Sequence, residues 1–154
     1  KKLKLFFVLI LSYAYFHADK ENCCEELLQT ENFELSEGCN WQKLEKNKLY
    51  RINNLKDLTA ITDCQEETQL PKIDFDSHTL LVVSGVSPYG IAEDNGKHKI
   101  DNTLSTGNKF VFTVQLHNTL AAVLDEWIVA VIAPKIPNSK PIELVIKNQN
   151  GMLK

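Results

Sequence analysis

The sequence lacks the features that mark several large functional classes. It has no patch of lysine and arginine with interleaved aromatic residues, and its 17 basic and 20 acidic residues are mixed along the chain, so a nucleic-acid partner is not expected. No apolar run approaches the roughly 20 residues that a membrane-spanning helix needs. The chain also shows no internal repeat, low-complexity tract or cofactor-binding motif, and no cofactor is predicted.

The first residues follow the order of features found in export signals. Three lysines within the first four residues form a basic start, Leu3–Leu11 is a short apolar run, and Ser12–Ala14 offers small residues for a cleavage site. We predict a signal peptide over residues 1–14, with cleavage as late as residue 18 as a variant of the same hypothesis. The alternative is a buried N-terminal helix, which would not need three lysines at its start.

In an exported chain the cysteines are expected to form disulfides. The chain has four of them: Cys23, Cys24, Cys39 and Cys64. An even number in an exported chain indicates disulfides. Adjacent residues are only about 3.8 Å apart at Cα, whereas bonded cysteines are usually about 4.4–6.8 Å apart. We therefore expect the adjacent pair to bond one each of Cys39 and Cys64, which would pin the polar segment 19–48 to the domain. Free thiols are one alternative. A zinc site is the other, although no Cys-x-x-Cys or His-x-His pair is present.

The residues before the adjacent cysteines do not form a lipobox. Lys20–Asn22 stand where a lipobox has apolar and small residues, so no lipid anchor is assigned. Contact with a membrane is expected only through the leader or through such an anchor. The absence of an Asn-x-Ser/Thr sequon favours a bacterial over a glycosylated eukaryotic origin. We predict the periplasm or the cell surface of a Gram-negative bacterium.

Residues 49–148 carry the patterns of one β-rich domain. The run 79–85 is continuously apolar and rich in β-branched residues, which predicts a strand buried on both faces. Apolar and polar residues alternate over 110–117, as in a strand with one buried face. Asn95 and Gly96, between two extended arms, give a strong hairpin signal. Further strands are predicted over 49–52, 126–134 and 141–147.

One short helix is predicted around residues 54–62. Leu55, Leu58 and Ile61 are spaced three apart and form one apolar face, and the preceding asparagines suit an N-cap. The fold class is therefore α+β, mostly β: a single antiparallel β-rich domain with a sandwich or a barrel-like sheet, followed by a loose tail over 149–154.

The segment DFDSH contains the best metal-ligand candidates of the chain. On an extended strand Asp74, Asp76 and His78 would point the same way, and two carboxylates with an imidazole can hold a divalent metal. The segment directly precedes a buried strand, where Asp and Ser usually form turns and bond local backbone N–H groups. We favour the turn and keep a metal site at these three residues as the alternative.

The segment SGVSPYG comes close to the nucleophile elbow of a serine hydrolase. That motif, G-x-S-x-G, needs a second glycine where Tyr89 stands, and no convincing Asp and His partners follow Ser87. No catalytic residue is assigned, and the chain is not predicted to be an enzyme. Because loops with an exposed aromatic residue commonly carry binding, we predict a partner-binding loop formed by Ser87, Pro88, Tyr89 and Gly90.

A longer stretch of the chain resembles a known family. The order YRI…NLKDLTAI…LPKIDFDSHTLLVVSG, over Leu49–Val86, is similar to the PrcB-like exported proteins of bacteria, named for a subunit of a surface protease complex. In that family a short strand and a helix precede an IDF turn and an apolar strand ending in glycine. The chain also resembles small cysteine-containing envelope lipoproteins of gut-type Gram-negative bacteria. After Gly85 it reads VSPYG where the family has a Thr-Gly-Gly-Tyr loop, and only Tyr89 and Gly90 are kept. The resemblance implies a non-catalytic domain that stabilises or restrains a partner protein.

These observations lead to three functional hypotheses. The first is an exported, non-catalytic envelope protein that binds or stabilises another envelope or secreted protein. The second is an exported metal-dependent hydrolase or small-ligand binder that uses Asp74, Asp76 and His78. The third is a structural or immunogenic surface protein without a discrete partner.

Overall fold

The computed structural model describes residues 25–65 and 70–150. The predicted signal peptide, Cys23, Cys24 and the last four residues of the predicted tail lie outside this part. Within it, no helix has the length and apolar character to cross a membrane. The elements in chain order are β1 (Glu26–Leu28), β2 (Glu31–Asn32), β3 (Cys39–Trp41), β4 (Leu49–Ile52), α1 (Leu55–Thr59), β5 (Thr62–Cys64), β6 (His78–Ser87), β7 (Glu93–Asp94), β8 (Lys97–His98), β9 (Ile100–Thr106), β10 (Phe110–Asn118), β11 (Asp125–Pro134) and β12 (Ile142–Asn150).

Two four-stranded sheets form a sandwich. Sheet A has the strand order β1-β9-β10-β12, and sheet B has the order β2-β11-β6-β4. Neighbouring strands in both sheets are antiparallel except β10 and β12, which run parallel. The predicted mostly-β fold with antiparallel sheets and a short helix is confirmed. Of the two predicted architectures, the sandwich is the one found.

The main core lies between the two sheets. Alternate residues of β10 point inward, so Phe112, Val114 and Leu116 are buried while the residues between them are half-buried. The alternation predicted over 110–117 is confirmed. Each fully buried aliphatic or aromatic side chain stabilises the fold by about 1.5–3 kcal/mol. Sheet B adds these side chains to the same cluster: Leu81, Val83, Trp127, Val129, Val131 and Ala133.

Sheet B is buried on its other face as well. Leu80 and Val82 of β6 point away from the main core and belong to a second apolar cluster with Phe33, Leu58 and Ile61. Residues of α1 and of the chain around it therefore cover the outer face of sheet B. A strand that packs on both faces needs apolar residues at every position, which explains the continuous run over 79–85, all of it buried.

The predicted hairpin is present, and the predicted helix is shorter than expected. Asn95 and Gly96 join β7 to β8 with φ values of 54° and 74°, the conformation that a type I′ turn requires. In α1, Leu58 is buried but Leu55 is 56% exposed. A spacing of three residues drifts around a helix of 3.6 residues per turn, so the predicted apolar face does not stay aligned with the core.

The polar segment 19–48, for which no strand was predicted, contains strands in its described part. The strand β1 pairs with β9 at the edge of sheet A, and β2 pairs with β11 at the edge of sheet B. Phe33, which follows β2, is buried, and its N–H donates to the carbonyl of Ala130 (2.9 Å). Edge strands can be short and polar, so hydrophobic periodicity does not reveal them. At the other end β12 continues to Asn150, two residues into the predicted tail.

The disulfide of the described chain joins Cys39 to Cys64. The two residues stand directly opposite each other on β3 and β5, with their Cα atoms 4.1 Å apart. The expectation that each would bond Cys23 or Cys24 is wrong. The sequence shows no apolar pattern at β3 or β5 that would mark them as neighbours, whereas their antiparallel pairing places the two cysteines within bonding distance.

Loss of this disulfide is expected to destabilise the fold. The double variant C39S/C64S should lose about 2–4 kcal/mol in free energy of unfolding, because the bond restricts the unfolded chain. Urea unfolding measures the loss, and reduced wild-type protein is the control that should unfold near the same urea concentration. A non-reducing peptide map should yield a linked peptide pair that contains Cys39 and Cys64. A Cys39 peptide linked to Cys23 or Cys24 would contradict the observed pairing.

Sheet B is closely packed at Gly85, which stands opposite Trp127 in the β6–β11 pair. A Cβ atom at Gly85 would lie 2.3 Å from Cζ2 of Trp127 and 2.8 Å from Oδ1 of Asn47. Since Trp127 is buried in the main core, it has little room to move aside.

Gly85→Ala is therefore expected to lower the free energy of unfolding by about 1–3 kcal/mol through overpacking. Gly107→Ala is the matched control, because no heavy atom beyond Gly107 and its two chain neighbours lies within 4 Å of its Cβ position, and it should stay within about 0.5 kcal/mol of wild type. Thermal or urea unfolding of the three proteins measures the difference. Equal stability of the two variants would show that the Gly85–Trp127 contact does not limit the packing.

Candidate functional site

Exposed apolar side chains concentrate at one end of the sandwich. The end of β6 and the start of β11 meet there, since Ser87 pairs with Asp125. Five of the eight large apolar side chains exposed in the described chain belong to this end, on β6, on the loop after it and on the loop that joins β10 to β11. We call them the apolar rim: Val86 (37% exposed), Tyr89 (44%), Leu120 (71%), Val123 (53%) and Leu124 (79%).

Backbone hydrogen bonds join the two loops that carry the rim. The N–H of Gly90 donates to the carbonyl of Ala121 (2.9 Å), and the N–H of Thr119 donates to the carbonyl of Gly90 (2.7 Å). A Cβ atom at Gly90 would lie 2.8 Å from Oγ1 of Thr119 and 3.1 Å from Cγ2 of Val123. Only glycine allows this close approach, so Gly90 holds the loops together.

A polar network that is buried at Ser87 and Asn118 and reaches the exposed Asn148 supports the rim. The Ser87 hydroxyl donates to Oδ1 of Asn118 (3.2 Å), and the amide of Asn118 donates to Oδ1 of Asn148 (3.1 Å). Ser87 is 1% exposed and Asn118 is 3% exposed. The Ser87 hydroxyl also accepts from the N–H of Tyr89 (3.2 Å). Because β6, β10 and β12 are joined by these bonds, their ends are fixed relative to each other.

Asp125 adds a further link between the two sheets. Its Oδ2 atom accepts from the N–H of Ile91 (2.8 Å) and lies 3.5 Å from Nε2 of His98. The backbone of Ile91 bridges to Asn118. Hydrogen bonds at the ends of three strands, β6, β10 and β11, therefore hold the loops of the rim in place.

The four residues of the predicted partner-binding loop divide into two pairs. Pro88 and Tyr89 are exposed, whereas Ser87 and Gly90 are buried and hold the loop in place. The Ser87 hydroxyl lies inside the polar network and donates to an asparagine rather than to a histidine. This arrangement lacks the exposed serine and the neighbouring base of a nucleophile elbow.

The second loop of the rim, residues 119–124, was not predicted from the sequence. The sequence feature that could have drawn attention to this loop is the apolar run LAAVL. It begins two residues after the alternating strand β10 and forms no strand. An apolar run of this length usually indicates a short buried element. In the structure all five of its residues are exposed.

The segment DFDSH forms a turn, as favoured. The carboxylate of Asp74 accepts from the N–H of Asp76 (3.1 Å) and from the Ser77 hydroxyl (2.5 Å), and its backbone carbonyl accepts from the N–H of His78 (2.9 Å). The turn removes the extended geometry on which the metal alternative depends. Across residues 25–65 and 70–150, no three carboxylate, imidazole or thiol side chains come close enough to share a metal ion.

Asp74, Ser77 and His78 touch each other, but in the wrong order for catalysis. The Ser77 oxygen lies 2.7 Å from Nδ1 of His78 and also bonds the Asp74 carboxylate. In a catalytic triad the histidine stands between the acid and the serine, so that it can take the serine proton. Here the Ser77 hydroxyl stands in the middle and donates its hydrogen bond to the Asp74 carboxylate. The arrangement closes an exposed turn.

Comparison of the chain with protein-family models, with curated proteins and with solved structures gives no match in any of the three. The similarity to the PrcB-like proteins therefore stays a prediction.

Hydrogen bonds within the turn change the pKa of the Asp74 carboxyl group. The Ser77 hydroxyl, and after it the N–H of Asp76, lower the pKa of Asp74 below its ordinary value. A carboxyl group with a lowered pKa stabilises the fold above the pKa of the unfolded chain, about 4. This stabilisation is lost as the pH falls through the pKa of the folded state.

Ser77→Ala is expected to raise the pKa of Asp74 toward its unperturbed value, because the strongest donor to the carboxylate is removed. Carboxyl ¹³C NMR titration measures the change, and Ser77→Thr is the control that keeps a hydroxyl at the same place. In the alanine variant, the loss of stability between pH 4 and acid unfolding should also become smaller. An unchanged Asp74 titration in Ser77→Ala would contradict the assigned cause.

Proposed function

We propose that this chain is an exported, non-catalytic protein of the bacterial cell envelope that binds another envelope or secreted protein through the apolar rim. The observation that carries the proposal is the concentration of exposed Tyr89, Leu120 and Leu124 at one end of a sandwich whose other large apolar side chains are mostly buried. A group of exposed apolar side chains at one place on a domain surface commonly marks an interaction site.

The support beneath the rim favours binding over a random surface property. Fixed loops lose little conformational freedom when a partner docks, so more of the apolar contact energy becomes affinity. The bonds of Gly90 to the 119–124 loop and the Ser87–Asn118–Asn148 network supply this fixation. Tyr89 adds an aromatic side chain, a residue type enriched where interfaces gain most of their energy.

Two features support export. The sequence begins with the pattern of a signal peptide. The Cys39–Cys64 disulfide is of the kind that persists in oxidising compartments such as the periplasm and the cell surface. Export and partner binding together are also what the resemblance to the PrcB-like proteins implies.

The arrangement of polar groups favours a non-catalytic role. Ser87 bonds Asn118 inside the protein, and Ser77 closes a turn in which the order of Asp, Ser and His does not suit proton transfer. The metal-dependent hydrolase built on Asp74, Asp76 and His78 is less favoured, because the turn engages Asp74 with local donors instead of leaving its oxygens for a metal.

The test compares two aspartate substitutions at equally exposed leucines. Leu120, in the rim, is 71% exposed, and Leu27, in β1, is 70% exposed. With the protein immobilised and envelope extract passed over it, wild type and Leu27→Asp should retain the same partner. The variant Leu120→Asp should bind it at least about tenfold more weakly, because a charge in a desolvated contact is costly. Circular dichroism checks that both variants keep the fold.

Three outcomes would count against the proposal. No retained protein would favour the structural surface protein without a discrete partner. Equal retention by the three proteins would move the site away from the rim. Binding to phospholipid vesicles that is lost in Leu120→Asp, with no protein retained, would make the rim a membrane contact.

A further inference from the structure

The sandwich has four outer strands, and they differ in length. Three of them, β1, β2 and β4, contain only two to four residues. Short edge strands offer few unpaired backbone groups and so protect a sheet against further pairing. The fourth, β12, has nine residues and pairs with β10 without interruption. It is therefore the long edge of the described structure.

Within residues 25–65 and 70–150, the edge of sheet B on the same side is covered, whereas no described segment pairs with the edge of β12. The Arg51 guanidinium of β4 donates to the carbonyls of Pro137 (2.8 Å) and Lys140 (2.7 Å), which lie in the segment leading to β12. Asn53, just after β4, bonds Asn138 of the same segment (2.6 Å). Among the described strands, β12 has β10 on one side and no strand on the other.

The register with β10 determines which backbone groups of β12 are open. The N–H of Phe110 donates to the carbonyl of Pro141 (3.3 Å). In a parallel pair, alternate residues of a strand bond the neighbour and the others point away. The backbone groups of Glu143, Val145 and Lys147 are thus directed to β10, and those of Leu144 and Ile146 to the open side.

We propose that β12 pairs with β12 of a second copy of this chain, antiparallel about a twofold axis at Val145, so that sheet A of one copy continues into sheet A of the other. This pairing makes Leu144 and Ile146 a hydrogen-bonded pair, as their outward backbone groups require. It places Glu143 of each copy opposite Lys147 of the other, as a non-hydrogen-bonded pair, the type whose side chains lie closer.

The charges select this register. Residues whose backbone N–H and C=O groups point outward must stand opposite each other in the two strands. The twofold axis of a symmetric pair can therefore pass only through a residue, and alternative registers move this axis by one residue at a time. An axis at Leu144 would place Glu143 opposite Val145, and an axis at Ile146 would place it opposite Gln149. Only the axis at Val145 brings opposite charges together, and it does so twice. Directly opposed unlike charges stabilise strand pairs, whereas like charges destabilise them.

The rest of the strand agrees with pairing to a second copy. Ile142, Leu144 and Ile146 are half-buried against the main core, so their side chains do not block the edge. On the outer face Glu143 forms an ion pair with Lys109, and Gln115 bonds Gln149 (2.6 Å). In the described chain Lys147 has no such ion pair, and a carboxylate from a second copy would supply one.

Charge exchange along the edge tests the proposal with full-length protein. Each single variant, E143K or K147E, places like charges opposite each other twice and should weaken the dimer by about tenfold or more. A mixture of the two variants restores unlike charges at both places and should form a mixed dimer. The double variant E143K/K147E should dimerise like wild type. Lys56→Glu, on the exposed side of α1, is the control with the same charge change as K147E and should not weaken the dimer.

Sedimentation equilibrium up to about 1 mM, the range of weak complexes, measures association, and circular dichroism checks the fold. In the dimer the amides of Leu144 and Ile146 should also exchange hydrogen more slowly as the concentration rises. A wild-type protein that stays monomeric would overturn the proposal. So would a dimer that resists K147E, or single variants whose mixture does not associate. None of these readouts depends on Leu120 or on a foreign partner, so failure here leaves the rim proposal standing.

Discussion

The ten-residue pairing of β6 with β11 is the contact on which the rest of the structure depends. It runs from His78 opposite Pro134 to Ser87 opposite Asp125. Because both strands lie in the middle of sheet B, their side chains contribute to the main core on one face and to the second cluster on the other. A change that bends this pair would disturb both cores at once. The tight contact of Gly85 with Trp127 shows how little room the pair leaves.

The same pairing determines where the rim stands. The pair ends at Ser87 and Asp125, and both side chains form hydrogen bonds there. Ser87 donates to Asn118, and Asp125 accepts from the N–H of Ile91. Ser87 is buried and Asp125 is half-buried. Polar groups withdrawn from water are costly without partners, so each end must be bonded to its neighbours. The loops that leave these ends are therefore fixed. Their apolar side chains face solvent without being free to fold back.

The sequence predicts the parts of the fold that packing dictates. The apolar run of β6 and the alternation of β10 follow from burial on two faces and on one face, and Asn95 with Gly96 follows from the positive φ of the turn. Polar edges are different: β1 and β2 carry no periodic pattern because most of their side chains are exposed. The partner of Cys39 is set by the β3–β5 pairing, a contact between residues 25 apart. No local pattern encodes such a pairing.

Of the two loops that form the apolar rim, only the loop with Tyr89 was predicted, because the other loop depends on contacts that no local pattern encodes. Tyr89 lies in a loop marked by proline and glycine, which local signals reveal. The apolar run after β10 has the composition of a buried element. It is exposed because it lies in the loop that leads into β11, at the end of the β6–β11 pair. The edge of β12 follows a similar logic. Ile142, Leu144 and Ile146 must cover the main core, so this strand cannot be shortened as the other edges are. A long edge is then unavoidable, and the side chains on its outer face, Glu143 and Lys147, determine what can pair with it.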